Sequence, residues 1–181
     1  MSSPMSKIET STSSTGTEAL PPAFDARDFR TALGCFGTGV TVITTVAPDG
    51  RRVGLTANSF SSVSLNPPLV LWSLVNHSPS MQAFQDASHF CINVLRQEQS
   101  DLALHFARPS EDKFAGINWQ AGLGGAPKLD GVLAQFECRN AYRYYGGDHV
   151  IFLGAVEAYN HHQGAPLLFS RGAFGAFTNL V

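Results

Sequence analysis

From Gly39 the pattern of hydrophobic and polar positions changes to the period of two that is typical of β-strands, with Val40, Val42, Thr44 and Val46 alternating with Thr41, Ile43 and Thr45. The segment 40–46, Val-Thr-Val-Ile-Thr-Thr-Val, leads through Pro48-Asp49-Gly50 to a second such segment at 52–57. Proline, aspartate and glycine favour a tight turn between strands. The two segments are therefore predicted to form a β-hairpin.

Further segments rich in β-branched and aromatic residues predict additional strands. They lie at 69–75, 90–95, 132–145 and 149–159, and shorter apolar pieces follow at 167–169 and 173–177. The segment 69–75, Leu-Val-Leu-Trp-Ser-Leu-Val, is apolar at nearly every position and suits a strand buried on both faces.

Helical spacing of apolar residues occurs in three places. Asp25 is suited to cap a first helix, which is expected to cover one side of the core. Two shorter helices are predicted, one opening at Ser78-Pro79 and one near 98–107. The inward positions are Phe29, Ala32, Leu33 and Phe36 in the first helix, Met81 and Phe84 in the second, and Leu102 and Phe106 in the third.

The predicted strands outnumber the helices, and regular alternation of strand and helix is absent. This pattern favours a mainly β fold, an antiparallel barrel with added helices. A length of 181 residues suits one domain. Residues 1–22 are rich in Ser and Thr and are expected to form a disordered tail, which leaves 23–181 as the folded domain.

Composition excludes several classes of function. The net charge is −2, from 12 basic and 14 acidic residues scattered along the chain, so neither nucleic acid nor an anionic membrane surface is an expected partner. Neither a signal-peptide core nor a membrane-length apolar run is found in the sequence, which favours the cytoplasm. The low charged fraction of 14% favours a large buried interface, and a homodimer is expected.

The cysteines and histidines do not form a metal-binding or redox motif. Cys35, Cys91 and Cys138 are far apart and are expected to be reduced thiols in the core. His161 and His162 are adjacent, so on a strand their side chains would point to opposite faces. No metal is predicted.

One polar segment follows the predicted hairpin directly. Residues 54–64, Gly-Leu-Thr-Ala-Asn-Ser-Phe-Ser-Ser-Val-Ser, place many hydroxyl groups and free backbone N–H groups close together. Such a segment either contacts a ligand or is a loop whose hydroxyls satisfy its own backbone. Taken by itself, the segment favours the loop.

Two other positions have similar pairs of interpretations. Asn76-His77-Ser78-Pro79 places a capped helix start where a phosphate is favoured, although every capped helix has this feature. His149 follows a glycine pair and Asp148 at a strand entrance, where it either contacts a ligand or is a structural residue of a tight hairpin. The sequence alone leaves both pairs open.

Together these segments occur in an order that resembles the flavin reductase-like family, whose members have an FMN-binding split β-barrel. The resemblance spans residues 29–177. It is carried by 39–44, by 54–64 with Asn66-Pro67-Pro68-Leu69, by 90–95, and by Gly147-Asp148-His149 with Gly154 and Val156.

The resemblance implies a flavin site and assigns residues to it. The isoalloxazine ring would lie along the first two strands and the polar segment, the flavin phosphate near the second helix, and His149 would orient the nicotinamide or the flavin edge. Less firmly matched residues would line the site or form aromatic walls, and Phe174 stands where many relatives have a tyrosine. The implied flavin-binding residues are Val40, Thr41, Thr56, Ala57, Asn58, Ser59, Ser61, Ser62, Asn76, Ser78, Asn93, Leu95, Phe106 and Phe174.

The implied function is an NADH- or NADPH-dependent reductase that transfers hydride to FMN or FAD and supplies reduced flavin to a flavin-dependent oxygenase component. Three alternatives remain open at this point. They are a flavin-bound reductase of a non-flavin acceptor, a non-catalytic flavin-binding module, and a β-barrel interaction protein that binds no flavin.

Overall fold

The structure, a computed structural model, describes residues 24–180; the tail predicted for residues 1–22 lies outside the described residues. The helices are α1 (Ala26–Leu33), α2 (Met81–Asp86) and α3 (Ser100–Ala107). The strands are β1 (Thr38–Gly39), β2 (Thr41–Val46), β3 (Arg52–Ala57), β4 (Ser61–Leu65), β5 (Pro68–Val75), β6 (His89–Val94), β7 (Trp119–Ala121), β8 (Pro127–Leu129), β9 (Ala134–Gly146), β10 (His149–His161), β11 (Leu167–Ser170) and β12 (Ala173–Ala176).

Seven strands form one antiparallel sheet in the order β3-β2-β6-β9-β10-β5-β4. The sheet curves around a core that includes Trp72, Phe84, Phe90 and Phe152. Trp72 stacks on Phe152, with 4.7 Å between the ring centroids. Because β3 and β4 lie at opposite ends of the strand order, the barrel is split between them.

The split is narrowed at one point by a side chain. The Ser59 hydroxyl accepts a hydrogen bond from the Ser73 N–H at 2.9 Å and donates to the Ser73 carbonyl at 3.1 Å. Ser59 follows β3 and Ser73 lies in β5, so this hydroxyl takes the place of a neighbouring strand. One end of β3 is thereby held against β5.

A second core cluster lies beside the barrel. It includes Val42, Leu95, Phe106, Phe114 and Leu129, which come from β2, the end of β6, α3 and the segments around β7 and β8. Two small sheets, β1-β11-β12 and β7-β8, flank it.

The principal elements predicted from the sequence are confirmed. The 40–57 hairpin pairs in register from Thr41 with Ala57 to Val46 with Arg52. Asp25 caps α1, accepting hydrogen bonds from the N–H groups of Arg27 and Asp28. The mainly antiparallel β fold is present.

Three predictions need correction. Helix α1 buries none of its residues, so it does not cover the core of this chain; Phe29 and Leu33 are 51% and 59% exposed. Cys35 is exposed, whereas Cys91 and Cys138 are buried as expected. The second part of the polar segment is strand β4, whose partner β5 supplies the hydrogen bonds that a loop would lack.

Gly154 provides a test of the packing between β6, β9 and β10. A Cβ atom at this position would lie 2.6 Å from Phe90 Cζ and 2.8 Å from Cys138 Cβ, and both neighbours are buried. Gly154→Ala is expected to lower the free energy of unfolding by about 1–3 kcal/mol, measured by urea denaturation. Gly175→Ala is the control, because nothing lies within 4 Å of its added Cβ. Equal stability of the two variants would contradict the close packing.

Candidate active site

Strand β3 has a free edge. It pairs with β2 on one side and has no strand partner on the other within residues 24–180. The Gly54 carbonyl accepts a hydrogen bond from Lys113 Nζ, so it points away from β2. Because alternate residues of an antiparallel strand direct their backbone groups to the same side, the N–H and C=O of Thr56 also lie on the free edge.

A cleft of about 490 Å³ lies along this edge, and we call it the β3 cleft. Its walls come from β3, the end of β5, the turn before α2, and the segment after α3. The lining residues are Arg51, Arg52, Val53, Gly54, Leu55, Thr56, Leu74, Ser78, Pro79, Ser80, Phe106, Ala107, Pro109, Ser110, Glu111 and Lys113.

Three cations, Arg51, Arg52 and Lys113, and one carboxylate, Glu111, line the β3 cleft. Lys113 is half-buried and donates from Nζ to the carbonyls of Phe106 at 2.7 Å and Gly54 at 3.2 Å. Desolvation by burial lowers its pKa. The Arg52 guanidinium lies over the Trp119 ring, 5.0 Å from its centroid, which holds its charge beside the cleft.

A second cleft, of about 720 Å³, lies beyond the C-terminal end of β3, and we call it the arginine cleft. Asn58, which follows β3, is among its lining residues. The complete lining is Arg27, Arg30, Thr31, Leu33, Gly34, Cys35, Phe36, Thr38, Asn58, Phe169, Ser170, Arg171 and Gly172.

Four of the residues that the sequence assigned to a site line these clefts. Thr56, Ser78 and Phe106 line the β3 cleft, and Asn58 lines the arginine cleft. Thr56 lies near the end of β3, Ser78 in the turn before α2, and Phe106 near the end of α3. These three residues therefore come together only in the folded chain.

The hydroxyls near the end of β3 are used within the protein. Thr41 Oγ1 donates to the Ala57 carbonyl at 2.8 Å, and Thr56 Oγ1 donates to the Ala103 carbonyl at 2.6 Å. Ser61 and Ser62 are exposed on β4, on the far side of the split from β3. The Thr41 and Thr56 hydroxyls therefore join β2, β3 and α3 through backbone carbonyls.

Three other assigned residues have buried side chains. Val40 and Leu95 belong to the second core cluster. Asn93 is fully buried; its Nδ2 donates to the Val42 carbonyl at 3.0 Å, and its Oδ1 accepts from the Leu129 N–H at 2.9 Å. These side chains position β2, β6 and β8 and have no surface for a ligand in the single chain.

His149 lies at the start of β10, on the outer face of the sheet. It pairs with Val75, whereas Val150 pairs with Leu74. Paired residues share a face and successive residues alternate, so His149 lies on the opposite face from Leu74, which lines the β3 cleft. Asp148 Oδ1 is 2.6 Å from His149 Nδ1, and this hydrogen bond lowers the pKa of the Asp148 carboxyl.

Two further assigned residues are tied to neighbouring turns. Asn76 donates from Nδ2 to the Gly147 carbonyl at 3.1 Å, which joins the β9–β10 turn to the segment that contains Ser78. Phe174 is half-buried in β12, with its ring centroid 5.6 Å from that of Phe169, a wall of the arginine cleft.

The most prominent charged residues of the two clefts were not predicted from the sequence. They are Lys113 in the β3 cleft and Arg27, Arg30 and Arg171 in the arginine cleft. The spacing of Arg27 and Arg30 on one helical face was a usable signal. Among the described residues, no group of three or more His, Cys, Asp or Glu has an arrangement that would hold a metal ion.

None of the helices within residues 24–180 combines the length and the apolar character that a membrane crossing needs.

Comparison with known proteins gives closely related sequences. The FMN reductase (NADH) of Agrobacterium fabrum is 46% identical over 159 residues, which cover 88% of this chain and 90% of that protein. The reductase component of the flavin-dependent trigonelline monooxygenase of Acinetobacter baylyi is 47% identical over 148 residues. That match covers 82% of this chain and 48% of the relative, so the chain spans about half of the relative's length.

A solved structure gives the same result for the fold. The NADH:FAD oxidoreductase of Streptomyces globisporus, in complex with NAD and FAD fragments, has a TM-score of 0.81 and 40% identity, covering 85% of this chain and 93% of that one. The family model described as the flavin reductase like domain matches residues 33–178. The split β-barrel predicted from the sequence is thus confirmed, and the chain belongs to the flavin reductase-like family.

Proposed function

We propose that this protein is an NAD(P)H:flavin oxidoreductase. It transfers hydride from a reduced nicotinamide to FMN or FAD and supplies the reduced flavin to a partner monooxygenase. The observation that carries this proposal is the free edge of β3, which has a cationic cleft along it and the arginine cleft beyond its C-terminal end.

The residues along this edge fit a flavin. The Thr56 N–H and C=O have no strand partner within the described chain, and they match the alternating acceptors and donors of a pyrimidine ring. Leu55 and Leu74 supply apolar surface for the fused rings. Ala57 and Asn58 follow Thr56 along the chain, and we retain them, with the backbone near Ser59, as flavin contacts.

The β3 cleft also supplies groups for the flavin phosphate. Lys113 Nζ makes two hydrogen bonds to carbonyls and has a third proton available for an anion. The Ser78 hydroxyl lies on the lining of the same cleft. Because burial disfavours the charged form of Lys113, a phosphate beside it would stabilise that charge.

The bound flavin supplies the hydride acceptor, so the chain needs neither a nucleophile nor a metal to perform the reaction. The protein's contribution is to hold the nicotinamide and flavin rings in contact and to exclude competing reactions. We propose that His149 orients the nicotinamide amide or the flavin edge. Because His149 lies on the opposite sheet face from the β3 cleft of its own chain, we propose that it acts on the site of a second copy of the chain.

The homodimer is a further proposal, supported by the outer face of β9 and β10. Tyr142 and Tyr144 are more than half exposed there, and they pair with Leu153 and Ile151. An apolar sheet face of this kind is typical of a surface that contacts a partner. We also propose a cytoplasmic location, because all three cysteines are free.

The reductase proposal is tested by the anaerobic oxidation of NADH and NADPH with FMN, FAD or riboflavin in turn. At least one pair is expected to react with kcat/KM of roughly 10⁴ M⁻¹s⁻¹ or more, followed by the bleaching of flavin absorbance. The combination with the highest kcat/KM identifies the flavin and the donor. If flavin binds but is not reduced by either donor, the protein is a flavin-binding module, and the proposal is wrong.

Two variants separate the flavin end of the site from the nicotinamide end. Lys113→Met is expected to lower kcat/KM for FMN by roughly 10- to 100-fold, because it removes a charged hydrogen bond to the phosphate. Riboflavin has no phosphate, so its kcat/KM should change much less, and this comparison controls for structural damage. His149→Ala is expected to raise the KM for the nicotinamide or to lower kcat, and unchanged kinetics would remove His149 from the site. An equal loss with FMN and riboflavin would contradict the role of Lys113.

The dimer is tested with two neighbouring tyrosines on opposite faces of β9. Tyr144→Glu places a charge on the outer apolar face and is expected to give a monomer in light-scattering measurements. Tyr145→Glu is the matched control, because Tyr145 is 75% exposed and pairs with the core residue Val150 instead. A dimer that survives Tyr144→Glu would place the interface elsewhere.

A further inference from the structure

The arginine cleft combines positive charge with apolar walls. We propose that it binds the diphosphate of the nicotinamide dinucleotide, with the adenosine against its aromatic side. This inference rests on the proposed function and deepens it, because it assigns a binding site to the half of the donor that does not react.

The charge in this cleft is concentrated and uncompensated. Arg27, Arg30 and Arg171 are three of the twelve basic residues in a chain whose net charge is −2, and its lining contains no Asp or Glu. Within residues 24–180 none of the three arginines forms an ion pair. Arg51 and Arg139, by contrast, pair with Asp49 and Glu157.

The three guanidinium groups come from two elements that are fastened together. Arg27 and Arg30 lie three residues apart on α1 and so share one face of that helix. Arg171 lies in the turn between β11 and β12, and its N–H donates to the Gly34 carbonyl at the end of α1 at 2.9 Å. The Ser170 hydroxyl donates to the same carbonyl at 3.1 Å.

The backbone of the turn between β11 and β12 is held in an unusual conformation. Arg171 has a φ of 50°, in the left-handed region that side chains other than glycine rarely adopt. The hydrogen bonds to Gly34 hold it there, so the turn is fixed against the end of α1. The cleft therefore has a defined shape in which cations from a helix and a turn surround one space.

A nucleoside diphosphate fits this chemistry better than a simple anion does. Arginine matches phosphate oxygens through paired N–H groups, and several arginines suit a group with two phosphates. Phe36 and Phe169 give the cleft aromatic surface against which a base can stack. A volume of about 720 Å³ lies within the range of nucleotide-sized sites.

The position of the cleft selects the donor as the source of this diphosphate. Asn58 lines the cleft and follows β3 directly, so a ligand held there extends toward the free edge at Thr56. The β3 cleft has its own cation, Lys113, for the flavin phosphate. FAD also carries an adenosine diphosphate and is the competing source that an experiment must separate.

The reactivity of the Cys35 thiol can be used to measure whether a ligand occupies the arginine cleft. It lines the arginine cleft, and Arg171 Nη2 lies 3.6 Å from its Sγ. Cys91 and Cys138 are buried, and burial raises the pKa of both thiols, that of Cys138 to about 12. A thiol reagent added to the folded protein therefore modifies Cys35 first.

The experiment measures the rate at which the neutral reagent iodoacetamide modifies Cys35 in the full chain. ADP-ribose and NAD⁺ are expected to slow this rate at least fivefold in a saturable manner, both with and without FMN, whereas FMN alone leaves the rate unchanged. Cys35→Ser confirms the site of modification. Arg30→Gln and Arg171→Gln are expected to abolish the protection and to raise the KM for NADH by roughly 10- to 100-fold, with the KM for FMN unchanged.

Arg139→Gln is the matched control, because Arg139 lies outside both clefts, and it should retain full protection. Protection by FAD but not by ADP-ribose or NAD⁺ would overturn the assignment and give the cleft to the flavin. Active flavin reduction without any protection would overturn this inference alone. Protection by ADP-ribose in a chain that reduces no flavin would overturn the proposed function while the nucleotide cleft stands.

Discussion

The close contact between α3 and β3 at Gly54 determines how the candidate site is built. A Cβ atom at this position would lie 2.6 Å from Phe106 Cε1, so only glycine allows the Phe106 ring to pack against the strand. The same contact brings the segment after α3 to the free edge, where Lys113 donates to the Gly54 and Phe106 carbonyls. A larger residue at position 54 would displace the helix, the lysine and one wall of the β3 cleft together.

Several polar side chains near this edge form hydrogen bonds to the backbone of other elements. Ser59 and Thr56 donate to the backbone of β5 and α3, and Asn93 joins β2, β6 and β8 inside the protein. Such bonds are costly to leave unmade in a buried setting, so they fix the strands in register. Recognition of a ligand is then left to the backbone edge of β3 and to the cations beside it.

Much of the fold could be predicted from the sequence because local patterns specify it. The alternation at 40–57 gave the hairpin, and Asp25 gave the start of α1. Strand β4 was missed because its serines have little intrinsic preference for a strand, and pairing with β5 decides its structure. The exposed face of α1 was mistaken for a core face because periodicity shows that a helix is amphipathic but not what covers it.

The site was harder to predict because its charges meet only through tertiary contacts. Thr56 was found through a strand end, and Ser78 through a helix start predicted at Ser78-Pro79, although α2 begins at Met81 and has no side-chain cap. Lys113 and Arg171 carry no such signal, because each is positioned by a residue distant in the sequence. Lys113 donates to the Gly54 carbonyl, and Arg171 donates to the Gly34 carbonyl. A scattered charge distribution along the chain therefore says little about the charge of a cleft.

The placement of the two clefts also bears on how hydride transfer is arranged. Both ligands in the proposed reaction are anionic, and a chain of net charge −2 offers them no general attraction. In the proposed arrangement Lys113 beside Gly54 and the arginine cleft beyond the C-terminal end of β3 would hold the phosphates apart, so their repulsion would not oppose the approach of the rings. The uncharged segment from Thr56 to Asn58 joins the linings of the two clefts, and in the proposed reaction the rings would meet there, on a strand edge that stays fixed without a moving domain.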